Sequence, residues 1–126
     1  MGDKAMAGRS VLLVDDSAYA RSRLRRFLAE RGLSQVVEAA DGDQALACQA
    51  EHGPCLVLLD EVMRGRSGIE TARLLLARDP RLDVIMLTVL TDRAMREEAL
   101  AAGVRRVLPK ADFAALAAVL RELGYE

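Results

Sequence analysis

The sequence predicts an α/β fold in which five strands form a doubly wound parallel sheet with helices on both faces. Two observations predict it. Five short apolar runs alternate with five longer segments of helical periodicity. The apolar runs are continuous rather than alternating with polar residues, which is typical of strands buried on both faces of a parallel sheet. Strands joined in this way by helices use right-handed crossovers, so the helices cover both faces.

The five apolar runs are short, β-rich segments of ordinary strand length. We expect strands at residues 10–14, 35–39, 55–59, 83–88 and 105–108. The segments between them are long enough for helices, and no repeat, linker or low-complexity block divides the chain. One continuous sheet is therefore expected.

The helices are expected at about 18–31, 43–52, 68–78, 92–102 and 112–123. The first, fourth and fifth each end at a glycine, at Gly32, Gly103 and Gly124, and glycine is common just past a helix end. The second follows the turn 41–42, and the third stops before Pro80, which could not continue it.

The fourth helix differs from the others in composition. Thr91 or Asp92 could cap its start, and Asp112 lies near the start of the fifth helix. The fourth helix is rich in alanine and has few large apolar side chains. We therefore expect it to be weakly anchored to the sheet.

Composition limits the class of protein. The chain of 126 residues is 52% hydrophobic and 29% charged, which suits one globular domain. We assign residues 1–9 to a disordered leader, 10–124 to the domain and 125–126 to a tail. The net charge of -1 gives no reason to expect nucleic acid or a membrane as the main partner. Without a signal-peptide pattern or a long apolar run, a cytoplasmic protein is expected.

Polar residues follow four of the five strands. The first strand ends at Asp15-Asp16, the third at Asp60, the fourth at Thr88 and the fifth at Pro109-Lys110. An aspartate is also a common turn residue, which by itself would explain one of them. Carboxyl ends of parallel strands share one edge of the sheet, where such folds bind ligands. That edge therefore offers three carboxylates, one hydroxyl and one ammonium.

These residue types indicate a cation and an anion bound together. Neighbouring carboxylates raise each other's pKa, and a divalent cation relieves the repulsion. Mg²⁺, or Mn²⁺, suits oxygen ligands, and Mg²⁺ keeps several waters, leaving positions for a phosphoryl oxygen. The chain otherwise uses arginine, with lysine only at Lys4 and Lys110. A compact ammonium at position 110 can contact a phosphoryl oxygen or a carboxylate, although an ordinary solvated lysine is the alternative.

The strand-end motifs, taken in order, resemble the receiver domains of two-component response regulators. The resemblance covers about residues 9–124 and implies a (βα)₅ flavodoxin-like fold. It rests on Val-Asp-Asp-Ser at 14–17, Val-Glu-Ala-Ala-Asp-Gly at 37–42, Leu-Leu-Asp-Glu-Val-Met at 58–63, Gly68, Met-Leu-Thr at 86–88 and Leu-Pro-Lys at 108–110.

The resemblance implies a phosphoryl transfer. Asp60 would be the phosphoacceptor, taking a phosphoryl group from phosphohistidine on a sensor histidine kinase or a phosphotransfer protein. Thr88 and Lys110 would bind the phosphoryl oxygens. Transfer of this kind depends mainly on positioning and charge neutralisation, which agrees with the residue types.

The resemblance also implies the ligands of the metal. Asp16 and Asp60 would bind Mg²⁺ directly, together with the backbone carbonyl of Val62. Asp15 would act through a water. The chain would be a signalling switch, with only self-catalysed phosphotransfer and dephosphorylation.

Several positions depart from the family pattern. Val107 stands where an aromatic residue is common, Arg64 replaces a proline, and Val89 is larger than usual. Val62 and Leu90 flank the path of the hydrolytic water in the family, and both are apolar here. We expect these residues to modulate the loops and the lifetime of the phosphorylated state.

Partners and rival functions follow from the same comparison. The family switches the face of its fourth helix, fifth strand and fifth helix, which implies a downstream protein target and a possible phosphorylation-linked homodimer, without direct nucleic-acid binding. An Mg-dependent phosphatase with an aspartate nucleophile is the first alternative, although it would need a second acid where Val62 stands. A receiver fragment of a longer transcriptional regulator is the second. The arginines of the first helix are either a solvated face or a docking edge for a kinase.

Overall fold

The computed structural model describes residues 10–89 and 92–126. The leader assigned to 1–9, and Leu90 and Thr91, lie outside the described residues. Five strands alternate with five helices, as predicted. In chain order they are β1 Val11–Val14, α1 Ala18–Ala29, β2 Val36–Ala39, α2 Gly42–His52, β3 Leu56–Leu59, α3 Gly68–Arg78, β4 Asp83–Thr88, α4 Arg93–Ala101, β5 Arg106–Pro109 and α5 Phe113–Glu122.

All five strands lie parallel in one sheet of order β2-β1-β3-β4-β5. The chain moves outward from β1 to β2, then returns to the other side of β1 with β3. The strand order therefore reverses between β1 and β3, and the loops that follow these two strands diverge there. In open α/β sheets this reversal point is where ligands bind.

The core has one layer on each face of the sheet, as the continuous apolar strands predict. Helices α1 and α5 cover one face, with Leu24, Phe27, Leu28, Leu116 and Leu120. Helices α2, α3 and α4 cover the other, with Ala45, Ala72, Leu75, Met95 and Ala99. No helix in the described part of the chain combines the length and apolar character needed to cross a membrane.

Helix α4 has the smallest buried face. Its buried residues are Met95 and Ala99, whereas α3 buries five residues. Its N-cap is Asp92, whose side chain accepts a hydrogen bond from the Met95 amide. Arg96 Nη1 donates to the Val107 carbonyl at 2.9 Å and so ties α4 to β5. Because few apolar contacts hold the helix, it belongs to the low-stability end of the fold.

Tyr125, the first of the two residues assigned to the tail, packs into the core. Its side chain is 1% exposed, and its hydroxyl lies 2.6 Å from Asp83 Oδ2 and 3.1 Å from the Cys55 carbonyl. Arg105 Nε lies 3.0 Å from the other oxygen of Asp83. Burial, with the Asp83 carboxylate beside it, raises the pKa of Tyr125 above its usual range, so the phenol stays protonated as a donor. The chain after α5 therefore closes the end of the sheet opposite the polar edge.

Tyr125→Phe is expected to lower the free energy of unfolding by about 1–3 kcal/mol, because it leaves a buried carboxylate without one donor. Urea unfolding followed by circular dichroism measures the change. Tyr19→Phe is the matched control, since Tyr19 is 73% exposed, and its effect should stay within about 0.5 kcal/mol. Equal losses in the two variants would contradict a structural role for the Tyr125 hydroxyl.

Candidate functional site

Strand register brings the predicted site residues to one edge of the sheet. Val14 of β1 is paired with Leu59 of β3, so the residues that follow, Asp15 and Asp60, leave the sheet at the same level. On the other side of β3, Lys110 follows β5, and its backbone amide donates to the Thr88 carbonyl at 3.0 Å. The four residues therefore share the carboxyl edge.

Lys110 lies between two buried carboxylates. Its Nζ is 2.8 Å from Asp15 Oδ2 and 2.9 Å from Asp60 Oδ2. The side chains of Asp15 and Asp60 are 4% and 7% exposed, and that of Lys110 is 26% exposed. Burial alone would lower the pKa of Lys110, but the hydrogen bonds to both carboxylates outweigh it and raise the pKa above its ordinary value. The ammonium therefore stays charged at neutral pH and offsets part of the acidic charge.

The other predicted site residues differ in their exposure. Asp16 is exposed, whereas its neighbour Asp15 is buried. Thr88, at the end of β4, is fully buried. The Val62 amide lies 3.3 Å from Asp60 Oδ1, and the Val62 side chain is 53% exposed. The structure thus brings Asp15, Asp60 and Lys110 into contact and leaves Asp16 open to solvent.

The positions that depart from the family pattern are also divided between surface and core. Arg64 and Val89 are exposed, the second by 71%, and Val107 is 5% exposed within β5. Leu90 lies outside the described residues. The small, buried Val107 side chain fills the position where the sequence comparison expected an aromatic ring, so no ring can turn there.

The donor set suits a hard cation. Carboxylates of Asp15, Asp16 and Asp60 and the carbonyl of Val62 supply oxygen atoms only, as Mg²⁺ prefers. Among residues 10–89 and 92–126, no group of three or more His, Cys, Asp or Glu side chains is arranged to hold a metal. The Lys110 ammonium instead lies against the two buried carboxylates. Mg²⁺ is usually bound by few protein ligands and several waters, so the oxygen atoms at this edge are of the kind it takes, although the described side chains are not gathered around a cation position.

The loop after Asp60 is held by the start of α3. Glu61 Oε1 accepts a hydrogen bond from the Ile69 amide at 2.8 Å, and the Glu61 carbonyl accepts one from the Gly68 amide at 2.9 Å. Ser67 and Glu70 form a capping box at the same helix end. Burial raises the pKa of Glu61, against the effect of the Ile69 hydrogen bond. Glu61 was not identified from the sequence, where it was only the residue after the predicted phosphoacceptor.

The loop after β1 is held by α1 and β2. Asp15 Oδ1 accepts from the Ser17 amide at 2.9 Å, and Ser17 caps α1. Arg21 Nη1 donates to the Asp15 carbonyl at 2.6 Å, and Arg21 Nε pairs with Glu38 Oε1 at 2.8 Å. Sequence reasoning also missed the roles of Arg21 and Glu38. Two features of the sequence could have indicated these roles. Glu38 is the one charged residue of an otherwise apolar strand, and Arg21 and Arg25 lie four residues apart in the helix that follows Asp15 and Asp16.

A groove runs from the site along α1. It has a volume of about 330 Å³ and is bounded by Tyr19, Arg23 and Phe113, with Asp15 and Lys110 at one end. The Arg23 guanidinium lies 5.0 Å from the centre of the Phe113 ring. Of the four arginines of α1, Arg21 and Arg25 form ion pairs, as does Arg31 just beyond its end. Neither of the helix's other two arginines, Arg23 and Arg26, forms an ion pair within the described residues. Of these two, Arg23 lines the groove.

The fold and the site define a class of protein: a five-stranded α/β domain with an acidic, lysine-bridged site at the point where strand order reverses. The comparisons identify the family within that class. The chain matches the model of the response regulator receiver domain over residues 11–121, and it belongs to that family. Membership favours a signalling receiver over the phosphatase considered from the sequence.

Individual relatives agree along most of the chain. Protein CcdB of Bacillus subtilis is 35% identical over 117 residues, which cover 91% of this chain and 98% of CcdB. The chemotaxis protein CheY of the same species is 31% identical over 100 residues, covering 79% of this chain and 83% of CheY. Among solved structures, a chain of the CheX–CheY–BeF3–Mg²⁺ complex of Borrelia burgdorferi superposes with a TM-score of 0.84 at 27% identity, covering 90% of this chain and 88% of that one.

Proposed function

We propose that Asp60 accepts a phosphoryl group from a phosphohistidine in an Mg²⁺-dependent reaction, and that the chain acts as a switch rather than as a turnover enzyme. One observation carries the proposal: a single ammonium, Lys110 Nζ, contacts the buried carboxylates of Asp60 and Asp15 at the carboxyl edge. Membership of the receiver family supports it.

The reaction is a displacement at phosphorus. A carboxylate oxygen of Asp60 forms the new O–P bond while the P–N bond to the donor histidine breaks, and the imidazole leaves with the electron pair. Lys110 and the Thr88 hydroxyl would bind the phosphoryl oxygens, since both residues border Asp60 or the neighbouring strand end. Most of the catalytic effect in such transfers comes from positioning and from neutralising charge, which these two groups can provide.

Bound Mg²⁺ would add further positive charge to neutralise the phosphoryl oxygens. Asp16, Asp60 and the Val62 carbonyl are the proposed direct ligands, and Asp15 is the proposed partner through a water. The CheX–CheY–BeF3–Mg²⁺ complex of the Borrelia relative supports this choice of ion. The exposure of Asp16 also supports it, because an incoming hydrated ion can reach that carboxylate first.

The response to phosphorylation is proposed to use the face of α4, β5 and α5. A phosphoryl group adds up to about two negative charges beside Lys110 and so changes the partners of that ammonium. Helix α4 has the smallest buried face and begins a short distance along the chain from Thr88, so it is the element most easily displaced. The proposed partners are a sensor histidine kinase or phosphotransfer protein on the input side, and a protein target or a second copy of the chain on the output side.

The direct test is phosphorylation by a small acyl phosphate such as acetyl phosphate. With Mg²⁺, intact mass should show the gain of one phosphoryl group per chain, and with chelator it should show none. Borohydride reduction followed by peptide mapping should locate the modification at Asp60. Modification without Mg²⁺, or at another residue, would overturn the proposal. Continuous release of phosphate from a phosphomonoester would instead support a phosphatase.

A further inference from the structure

We propose that Arg21 is a positioning residue that fixes the peptide between Asp15 and Asp16 and thereby orients the acidic pair toward the cation. The inference rests on the proposed function, because it assumes that these two aspartates serve a bound Mg²⁺. It assigns a role to an arginine of the first helix that is distinct from both a solvated face and a docking edge.

The geometry of Arg21 connects three elements. Its side chain is 17% exposed, and its Nη1 donates to the Asp15 carbonyl at 2.6 Å. Its Nε pairs with Glu38 Oε1 at 2.8 Å. One planar guanidinium on α1 therefore joins the end of β1 to the edge strand β2. Charge-assisted hydrogen bonds of this kind are short and strong, and the rigid fork fixes their direction.

Glu38 is held in turn by a second arginine. Its Oε2 pairs with Arg25 Nε at 2.8 Å, and Arg25 Nη2 donates to the Val36 carbonyl at 3.1 Å. The hydrogen bond from Arg21 lowers the pKa of Glu38, burial opposes it, and Arg25 lowers the pKa further, with a net decrease. The carboxylate is thus ionised at neutral pH and can anchor Arg21 from the far side.

The position of the contact explains its effect on the site. The Asp15 carbonyl and the Asp16 amide belong to one planar peptide unit, so fixing that oxygen fixes the orientation of the unit. The side chain of Asp15 is already fixed by the Ser17 amide and by Lys110. Asp16 is exposed and directly follows that peptide unit. By fixing this peptide unit, Arg21 therefore sets the backbone position from which the exposed Asp16 side chain extends, without contacting that side chain.

Arg25 provides a matched control. Both arginines lie on α1, and both pair with Glu38 at 2.8 Å, but Arg25 donates to Val36 and not to the acidic loop. A variant of either residue removes one positive charge and one ion pair from the same carboxylate. Only the variant of Arg21 removes the contact with the Asp15 carbonyl.

The experiment compares the full chain with Arg21→Ala and Arg25→Ala by NMR titration with Mg²⁺ alone. Arg21→Ala is expected to weaken Mg²⁺ binding by about tenfold, the low end for residues that orient metal ligands. Arg25→Ala is expected to change it by less than about twofold, as for a surface ion pair. Without Mg²⁺, the amides of Asp16 and Ser17 should exchange their hydrogens faster in Arg21→Ala only, a readout that does not depend on phosphorylation.

Equal changes in the two variants, for either Mg²⁺ affinity or amide exchange, would overturn the positioning role. If Arg21→Ala does not fold, Arg21→Lys decides the question, because one ammonium keeps the charge but cannot replace the planar fork. Mg²⁺ affinity of Arg21→Lys equal to wild type would then overturn the role. If the wild-type chain itself neither binds Mg²⁺ nor accepts a phosphoryl group, the proposed function fails instead.

Discussion

Asp60→Asn is expected to abolish phosphorylation by acetyl phosphate. An amide has no anionic oxygen to attack phosphorus, and the carboxylate of Asp15, which shares Lys110 with Asp60, is held by that lysine and by the Ser17 amide. The fold should persist, because the carboxamide oxygen of the variant can still accept the hydrogen bond from the Val62 amide. Intact mass after incubation with Mg²⁺ measures the outcome, and circular dichroism checks that the variant is folded.

Asp43→Asn is the control for this experiment. It makes the same chemical change at a carboxylate that is 80% exposed and paired only with the surface residue Arg66 within the described chain. Its mass gain should equal that of wild type. If Asp60→Asn is modified to the same extent as Asp43→Asn, Asp60 is not the phosphoacceptor.

Gly68→Ala is expected to lower the free energy of unfolding by about 3 kcal/mol, at the upper end for overpacking. A Cβ at this position would overlap the Asp60 carbonyl oxygen and lie 2.7 Å from Glu61 Cα, and both are backbone atoms that cannot rotate away. The strand end that carries Asp60 would have to shift, so the phosphorylation rate should fall as well. Urea unfolding and the rate of mass gain measure the two effects.

Gly42→Ala is the matched control, since Gly42 and Gly68 both begin a helix. A Cβ at position 42 would overlap Thr71 Oγ1, which is a side-chain atom that can rotate. Rotation breaks the 2.8 Å hydrogen bond from Thr71 to the Ser67 carbonyl, a loss of about 1 kcal/mol. If Gly68→Ala lowers the free energy of unfolding no more than Gly42→Ala does, the loop after Asp60 can move to accept the added methyl group, and the expected overlap is contradicted.

The sequence was sufficient for the elements and for the edge at which the site lies. Continuous apolar strands and glycine or proline boundaries depend on local chemistry, and the observed bounds differ from the predicted ones by at most two residues. The alignment of the strand ends could also be predicted, because parallel strands of similar length end at the same edge of the sheet. The contacts of Lys110 with Asp15 and Asp60 follow from that edge, although the residues are far apart in the chain.

Contacts between distant side chains could not be predicted in the same way. Tyr125 follows a helix-ending glycine, which is typical of a tail, and only the packed fold shows the buried Asp83 that binds it. Arg21 and Arg25 look alike in the sequence, and their different acceptors depend on how α1 crosses β2. The role of Gly68 likewise depends on how closely the start of α3 approaches β3.

Strand β4 is bound by side chains at one end and lies beside the candidate site at the other. Asp83, the first residue of β4, contacts Tyr125 and Arg105, and the carbonyl of Thr88, its last residue, accepts a hydrogen bond from the Lys110 amide. Backbone ladders to β3 and β5 hold the strand on both sides. A shift of β4 along its own axis would break the hydrogen bonds to both neighbouring strands and the contacts of Asp83 at the same time. The strand is therefore expected to stay in place. Under the proposed function, a response that begins at Thr88 would therefore be expected to reach α4 rather than pass along the strand to the end of the chain that holds Tyr125.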